Sequence, residues 1–215
     1  MLLATRSAGK LRELRPLFAA RGIGVIDLND AGIAETDAED ALEVYATFEE
    51  NALAKARYFF GLSGRPTLAD DSGLSVDALG GRPGVMSKRW SGRVDLSGQA
   101  LDDENNRLLR ERLRETGAGT SDGWRAHYVC VAAYVDATHA LVCRGEVHGR
   151  IIDERRGDGG FGYDPYFLSD ELGRTFGEVG REEKERVSHR ARAFRALIDE
   201  LISGGIVASG TVANR

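Results

Sequence analysis

At Ala69-Asp70-Asp71-Ser72-Gly73-Leu74 two carboxylates, a hydroxyl and a glycine directly follow the apolar run Thr67-Leu68-Ala69. That order reads as a buried strand whose end delivers acids to one point, followed by a turn. Neighbouring side chains on a strand point to opposite faces, so only one of Asp70 and Asp71 need face a given ligand. Carboxylate and hydroxyl oxygens suit a hard divalent cation, which brings phosphates with it. The other reading is a turn in which Asp and Ser side chains satisfy local backbone donors. Taken alone, the stretch leaves both open.

Three further stretches bear on the choice. Arg6-Ser7-Ala8-Gly9 lies between a short apolar strand at residues 2–5 and a helix expected over residues 10–21, with Leu11, Leu14, Leu17 and Phe18 on one face. A tight turn into a helix N-terminus favours phosphate, because backbone N–H groups and the helix dipole face the anion and Lys10 adds a full charge. The GxxxxGK[ST] pattern is absent, so this is not a P-loop. Residues 157–165, Gly-Asp-Gly-Gly-Phe-Gly-Tyr-Asp-Pro, form a glycine-rich loop able to close on a flat ring, with Phe161 to stack and loop N–H groups to bond a base; a plain turn with inward aromatics is the alternative. Ser188 fits an N-cap, which sets His189 and Arg190 in a first turn where basic residues oppose the dipole. An anion or electron-rich ligand is expected to compensate them.

The elements that must position these groups are legible in outline. Thr47 with Glu50 makes a capping box for a helix running to about Leu62. In it Lys55 stands four residues after uncharged Asn51, so the common one-turn ion pair is missing. Residues 23–28 read as a strand, and residues 29–43 as an acidic connection with little regular structure. Residues 101–114 read as a helix whose early Asp102 and Asp103 and late arginines simply suit the macrodipole. Residues 124–135 and 140–147 form a hairpin turning at Asp136 to His139. Phe194, Leu197, Ile198, Leu201 and Ile202 make a core-facing stripe on the last helix. The domain is expected to span residues 1–203, with a disordered tail over 204–215.

Composition narrows the function classes. Lys and Arg number 29 against 34 Asp and Glu, a net charge of −5. That disfavours nucleic acid or an anionic membrane as the main partner. Cys130 and Cys143 lack a CxxC companion and are expected as buried free thiols. His127, His139 and His148 lack metal-ligand spacing. With no charged leader and no run of ~20 apolar residues, a cytoplasmic protein with no membrane partner is expected.

Together these blocks resemble the inosine/xanthosine triphosphate pyrophosphatases. The resemblance runs through residues 2–5, 9–14, 47–56, 69–74, 79–84, 159–165 and 182–190, in the family's order, leaving out the chain after about Ile202. It implies an α/β fold with an elongated mixed β-sheet flanked by helices, in two lobes with a central active-site cleft. It implies a Mg²⁺-dependent homodimer that hydrolyses ITP, dITP and XTP to the monophosphate and pyrophosphate. By motif position it places Thr5, Arg6, Ser7, Ala8, Gly9 and Lys10 on the triphosphate loop, with Lys55 near the phosphates. Glu43 and Asp71 fall on metal positions and Ser72 on a substrate contact. Phe161, Gly162, Tyr163 and Asp164 fall on the base-binding loop, and Lys184, His189 and Arg190 on further nucleotide contacts. Ser7 stands where the family has Asn. Glu43-Val44-Tyr45 stands where the family has Glu-Thr-Gly, so Glu39 or Asp40 could replace Glu43. The expected chemistry has Lys10, Lys55, Lys184 and Mg²⁺ neutralising the phosphates while Asp71 orients or deprotonates the attacking water. A pyrophosphatase for other modified nucleotides and a non-catalytic nucleotide-binding module are the competing readings.

Overall fold

The computed structural model describes residues 1–117 and 123–208, the side chain of Asp40 excepted. In chain order the elements are β1 (Leu2–Leu3), α1 (Ala8–Ala19), β2 (Ile26–Asp27), α2 (Phe48–Ser63), β3 (Thr67–Val76), α3 (Gly98–Glu115), β4 (Trp124–Val135), β5 (Ala140–Ile151), β6 (Phe167–Ser169), α4 (Arg181–Val187) and α5 (His189–Ser203). The strands form one mixed, six-stranded sheet in the order β2-β1-β3-β4-β5-β6. β1 runs parallel to β2 and β3, whereas β5 and β6 are antiparallel. The fold class is therefore the expected α/β arrangement of a mixed sheet flanked by helices.

Several boundaries differ from the sequence reading, each for a local reason. α1 starts earlier than residue 10 because Ser7 takes the N-cap, its Oγ accepting the Lys10 N–H at 3.3 Å. β2 is shorter than residues 23–28 because Asp27 and Asp30 accept each other's backbone N–H, at 2.8 and 3.2 Å, and fold the chain into a turn. Within the acidic connection, residues Asp37–Glu43 form a 3₁₀ helix. Thr47 caps α2 as expected, its Oγ1 accepting the Glu50 N–H at 3.2 Å, but the box is not closed: the Glu50 carboxylate accepts the Thr47 hydroxyl at 2.8 Å in place of the Thr47 N–H.

By its contacts the chain divides into two compact units. The first comprises Met1–Asp71, Cys130–Gly145 and His189–Arg215. Its core joins Leu14, Leu17 and Phe18 of α1 to Phe194, Leu197, Ile198 and Leu201 of α5, with Leu3, Leu68, Cys130 and Tyr134 from the strands. Phe18 meets Phe194 edge-on, with ring centroids 5.8 Å apart. The expected stripe on the last helix is thus the packed face. Ile206 and Val207 also pack on this core, while residues 209–215 of the expected tail lie outside the described residues. Both cysteines are free; Cys130 is buried, but Cys143 is only partly so.

The second unit comprises Ser72–Val129 and Glu146–Ser188. Its core is more aromatic, with Tyr128, Tyr163, Phe167 and Phe176 beside Leu109 and Leu113 of α3. Tyr128 stacks nearly parallel to Phe176, with centroids 6.1 Å apart. Among the described residues no helix is long and apolar enough to cross a membrane.

One glycine fixes how closely α5 approaches β5 in the first unit. A Cβ at Gly145 would stand 2.3 Å from the His189 carbonyl oxygen and 2.4 Å from the Ala193 nitrogen, both backbone atoms that cannot rotate away. Gly145→Val should therefore destabilise by about 3 kcal/mol. Thermal denaturation should show the melting temperature falling by roughly 6 °C or more; an unchanged midpoint would mean that the helix slides freely on the strand.

Candidate functional site

The sequence reading ends a strand at Asp70 and Asp71 and places a turn after it; instead β3 runs on to Val76, so both acids stand at mid-strand, and in the first unit they lie among charges. The Asp70 carboxylate is 1% exposed and receives Lys10 Nζ at 2.9 Å and Arg190 Nε at 3.3 Å on the same oxygen, Oδ2. Arg190 also pairs through Nη1 with Glu13 of α1. The Cys130 thiol lies 3.8 Å from Asp70 Oδ2. Burial alone would raise the Asp70 pKa, but the charges of Lys10, Arg190 and Lys55 outweigh it and hold the carboxyl well below its usual range. The same balance acts on Lys10: burial works against its charge, and Asp70 outweighs burial, so its pKa is raised.

Asp71 has the opposite character. Burial, then the nearby charge of Glu43, push its pKa up against the pull of Lys10, Lys55 and Asn51. Asn51 is fully buried on α2 and donates from Nδ2 to Asp71 Oδ2 at 2.9 Å. The Asn51 amide is itself fixed by the Tyr45 backbone, accepting its N–H at 2.9 Å and donating to its carbonyl at 3.3 Å. One turn on, Lys55 pairs with Glu43 and donates to the Asp70 carbonyl oxygen at 2.9 Å. Lys55 therefore does have an acidic partner, twelve residues away in sequence.

The structure thus brings Lys10, Glu43, Lys55, Asp71 and Arg190 into one charged network with Asp70 at its hub. The basic first turn at Arg190 is compensated by carboxylates of the chain itself, Asp70 and Glu13. His189 is buried beside it at the start of α5. Thr5 and Ser7 shape the start of α1: Thr5 Oγ1 accepts the Ser7 N–H at 3.2 Å. Ala8 and Gly9 form the first turn, which carries no acidic residue of its own. Arg6 is bound in two-pronged fashion by Glu39, at 2.7 and 3.2 Å, and donates to the Ile33 carbonyl at 2.9 Å.

These pairings bear on a metal. Among the described residues no group of three His, Cys, Asp or Glu side chains is close enough to hold an ion. Mg²⁺ needs fewer, since it keeps several waters and takes one or two carboxylates plus substrate oxygens. Glu43 and Asp71 fit that demand chemically, because the charge of Glu43 opposes the ionising of Asp71 and a cation would relieve it. Glu39 is engaged with Arg6, and the side chain of Asp40 lies outside the described residues.

The second unit holds Ser72, half-buried where β3 continues, and the glycine-rich loop. There Asp164 accepts the Phe161 N–H at 2.9 Å and Lys184 Nζ at 2.7 Å on Oδ2, with the Tyr128 hydroxyl 3.4 Å from Oδ1. Lys184 is 6% exposed. Its ammonium sits 4.9 Å from the Phe161 ring centroid and 5.4 Å from that of Phe176, a cation–π arrangement. It therefore braces the loop through Asp164. Tyr163 donates its hydroxyl to the Ser87 carbonyl at 2.7 Å. Gly160 is required by contact, because a Cβ there would lie 2.1 Å from Asp164 Oδ2.

Sequence reasoning missed Glu13, Asn51, Asp102 and Asn106. Asp102 accepts the Gly162 N–H at 2.8 Å, so it does more than complement a dipole. The available signal was polar residues on helix faces otherwise given to packing: Asn51 beside Ala52, and Asn105-Asn106 before Leu109.

Fold and site together define a mixed α/β protein with a buried network of acids and cations on an inner strand. A sequence model of the Ham1 family matches residues 1–200, and the chain belongs to that family. It is 44% identical over 206 residues to a dITP/XTP pyrophosphatase of Ralstonia nicotianae, covering 94% of this chain and 96% of the relative. To a dITP/XTP pyrophosphatase of Thermus thermophilus it is 46% identical over 204 residues, covering 95% and 92%. Among solved structures, a HAM1 protein from Coxiella burnetii matches with a TM-score of 0.79 at 34% identity, covering 94% of this chain and 98% of that one. A nucleoside-triphosphatase/dITP/XTP pyrophosphatase from Mycobacterium abscessus matches at 0.69 and 38% identity, covering 93% and 98%.

The charge balance at Asp70 is testable. Breaking a buried ion pair by removing one partner costs about 3–5 kcal/mol. Asp70→Asn, which leaves Arg190 its Glu13 partner, should lose about 3 kcal/mol in urea denaturation at neutral pH. Because the folded Asp70 pKa lies below its ordinary value of 3.8, its stabilisation is complete above that pH and is lost as pH falls below it. The acid limb of the stability curve should therefore be shallower in the variant. Equal stability at neutral pH would remove Asp70 as the hub.

Proposed function

We propose that this chain hydrolyses deaminated purine nucleoside triphosphates, ITP, dITP and XTP, to the nucleoside monophosphate and pyrophosphate, with Mg²⁺ as cofactor. One observation carries the chemical assignment. Of two adjacent buried acids on β3, Asp70 is neutralised by Lys10 and Arg190, while Asp71 is held through one oxygen by Asn51 in a region where burial and Glu43 oppose its ionisation. The names of relatives identical at about 45% over nearly the full chain support the substrate class.

In this reading a water oxygen forms a bond to the α-phosphorus. The bond from that phosphorus to the α–β bridging oxygen breaks, and pyrophosphate leaves with the electron pair. Asp71 takes the proton of the water, a task worth ~10²–10⁴ in rate for a placed general base. Lys10 and Lys55 supply fixed positive charge where phosphate charge develops. Glu43 and Asp71 would hold Mg²⁺, which when bound neutralises phosphate charge. No covalent intermediate is needed.

Base choice rests on the 6-position of the purine. Hypoxanthine and xanthine carry an acceptor oxygen there and adenine a donor, so a site that presents donors leaves adenine with unpaired groups. The N–H groups of Phe161 and Gly162 are already committed to Asp164 and Asp102. Selectivity therefore falls to donors other than these two. We further place the protein in the cytoplasm as a homodimer.

Turnover of ITP, XTP, GTP and ATP, with and without Mg²⁺ and with the released phosphate species identified, tests the proposal. Pyrophosphate from ITP and XTP, at rates on the order of 10² above ATP and lost on chelation, is expected. Equal use of ITP and ATP would defeat the base selectivity, and orthophosphate would defeat the pyrophosphatase reading. Asp71→Asn should lower kcat by ~10² or more with an unchanged melting temperature; near-normal turnover would remove Asp71 from the mechanism.

A further inference from the structure

The loop expected to meet the base is gripped from α3 at a single residue, through both its N–H and its carbonyl oxygen. Asp102 Oδ2 accepts the Gly162 N–H at 2.8 Å, and Asn106 Nδ2 donates to the Gly162 carbonyl oxygen at 2.8 Å. Asp102 and Asn106 are one helical turn apart and so share a face of α3. They are also tied to each other, since Asn106 Nδ2 donates to the Asp102 carbonyl at 2.8 Å. Gly162 itself has φ +63°, a left-handed conformation that glycine adopts readily.

We propose that Asp102 and Asn106 are positioning residues for the nucleotide, a pair that presets the 161–164 loop and thereby sets substrate affinity. The argument has three steps. First, the helix that carries them is rigidly seated: Leu109 and Leu113 are fully buried in the core of the second unit. Asn105 accepts the Ser91 N–H at 2.8 Å and donates to the Lys88 carbonyl at 3.0 Å. Second, the neighbours of Gly162 are held from elsewhere, Phe161 and Asp164 through Lys184 and Tyr163 through Ser87. Without the α3 grip the loop would keep its ends and lose its middle, the left-handed glycine between Phe161 and Tyr163. Third, ordering a loop before the ligand arrives removes that cost from binding, which appears in affinity more than in the chemical step. Asn106 is 4% exposed, and its Oδ1 has no partner among the described residues. The side chain is thus held for its donors, which serve this loop and its own helix.

The proposal rests on the assignment of this loop to the nucleotide, so its test uses two readouts that fail separately. Asp102→Ala removes the acceptor for the Gly162 N–H, and Asp102→Asn keeps an oxygen in its place. In hydrogen exchange read on peptides covering residues 157–165, Asp102→Ala should exchange at least tenfold faster, with Asp102→Asn close to wild type. In ITP hydrolysis, Asp102→Ala should raise KM about tenfold or more with kcat within threefold, and Asp102→Asn should recover most of the loss. Asn106→Ala should shift KM in the same direction. Unchanged exchange in Asp102→Ala overturns the grip. Faster exchange with unchanged KM, a fall in kcat alone, or no recovery in Asp102→Asn overturns its role in affinity. If the wild-type protein does not turn over ITP, the substrate assignment fails, and exchange still decides the grip.

Discussion

The first unit depends on the burial of one carboxylate. Asp70 on β3 draws Lys10 from the start of α1 and Arg190 from the start of α5 onto a single oxygen. A lone buried carboxylate would protonate rather than stay charged; here two cations keep it ionised. That single interaction orders several things at once. It ties two helix N-termini to the middle of a strand, it directs Arg190 inward against the preference of a helix dipole, and it leaves Glu13 to complete the guanidinium's pairing. Asp71, next along the strand, alternates to other partners and meets Asn51. The period of two along β3 thus separates an acid paired to two cations from one that meets an amide.

The second unit solves a different problem, holding a loop rich in glycine in one conformation. Glycine costs more entropy to order than any other residue, so residues 157–165 need many fixed points. Asp164 supplies the inner one, paired to Lys184 between two aromatic rings. Ser87 and α3 supply the rest. Lys184 illustrates how a residue placed on a nucleotide by motif can act through a neighbour: its charge is spent on Asp164, and its stem is buried.

Much of this was legible in the sequence, and unevenly so. Local signals read well: the Thr47 N-cap, the 3.6-residue stripe from Phe194 to Leu201 and the hairpin turn at Asp136 all reflect interactions within a few residues. The mixed α/β fold followed from the motif blocks and their order. The charged groups on β3 were recognisable by type, but their pairings were not. Arg190 reaches Asp70 across 120 positions and Lys55 reaches Glu43 across twelve, and no periodicity encodes such distances. Asp102 was hidden because an acid near a helix start already has a sufficient local explanation. Ser7, which stands where the family has Asn, caps α1 through its hydroxyl.

The central claim is that water attacks the α-phosphorus directly, with Asp71 taking its proton and no bond to the protein formed. Single-turnover hydrolysis of ITP in ¹⁸O-labelled water, with the products resolved by ³¹P NMR, tests this most directly. The account predicts that the label appears in the monophosphate and that pyrophosphate leaves unlabelled. Label in the pyrophosphate, or unlabelled monophosphate from a first turnover, would contradict it.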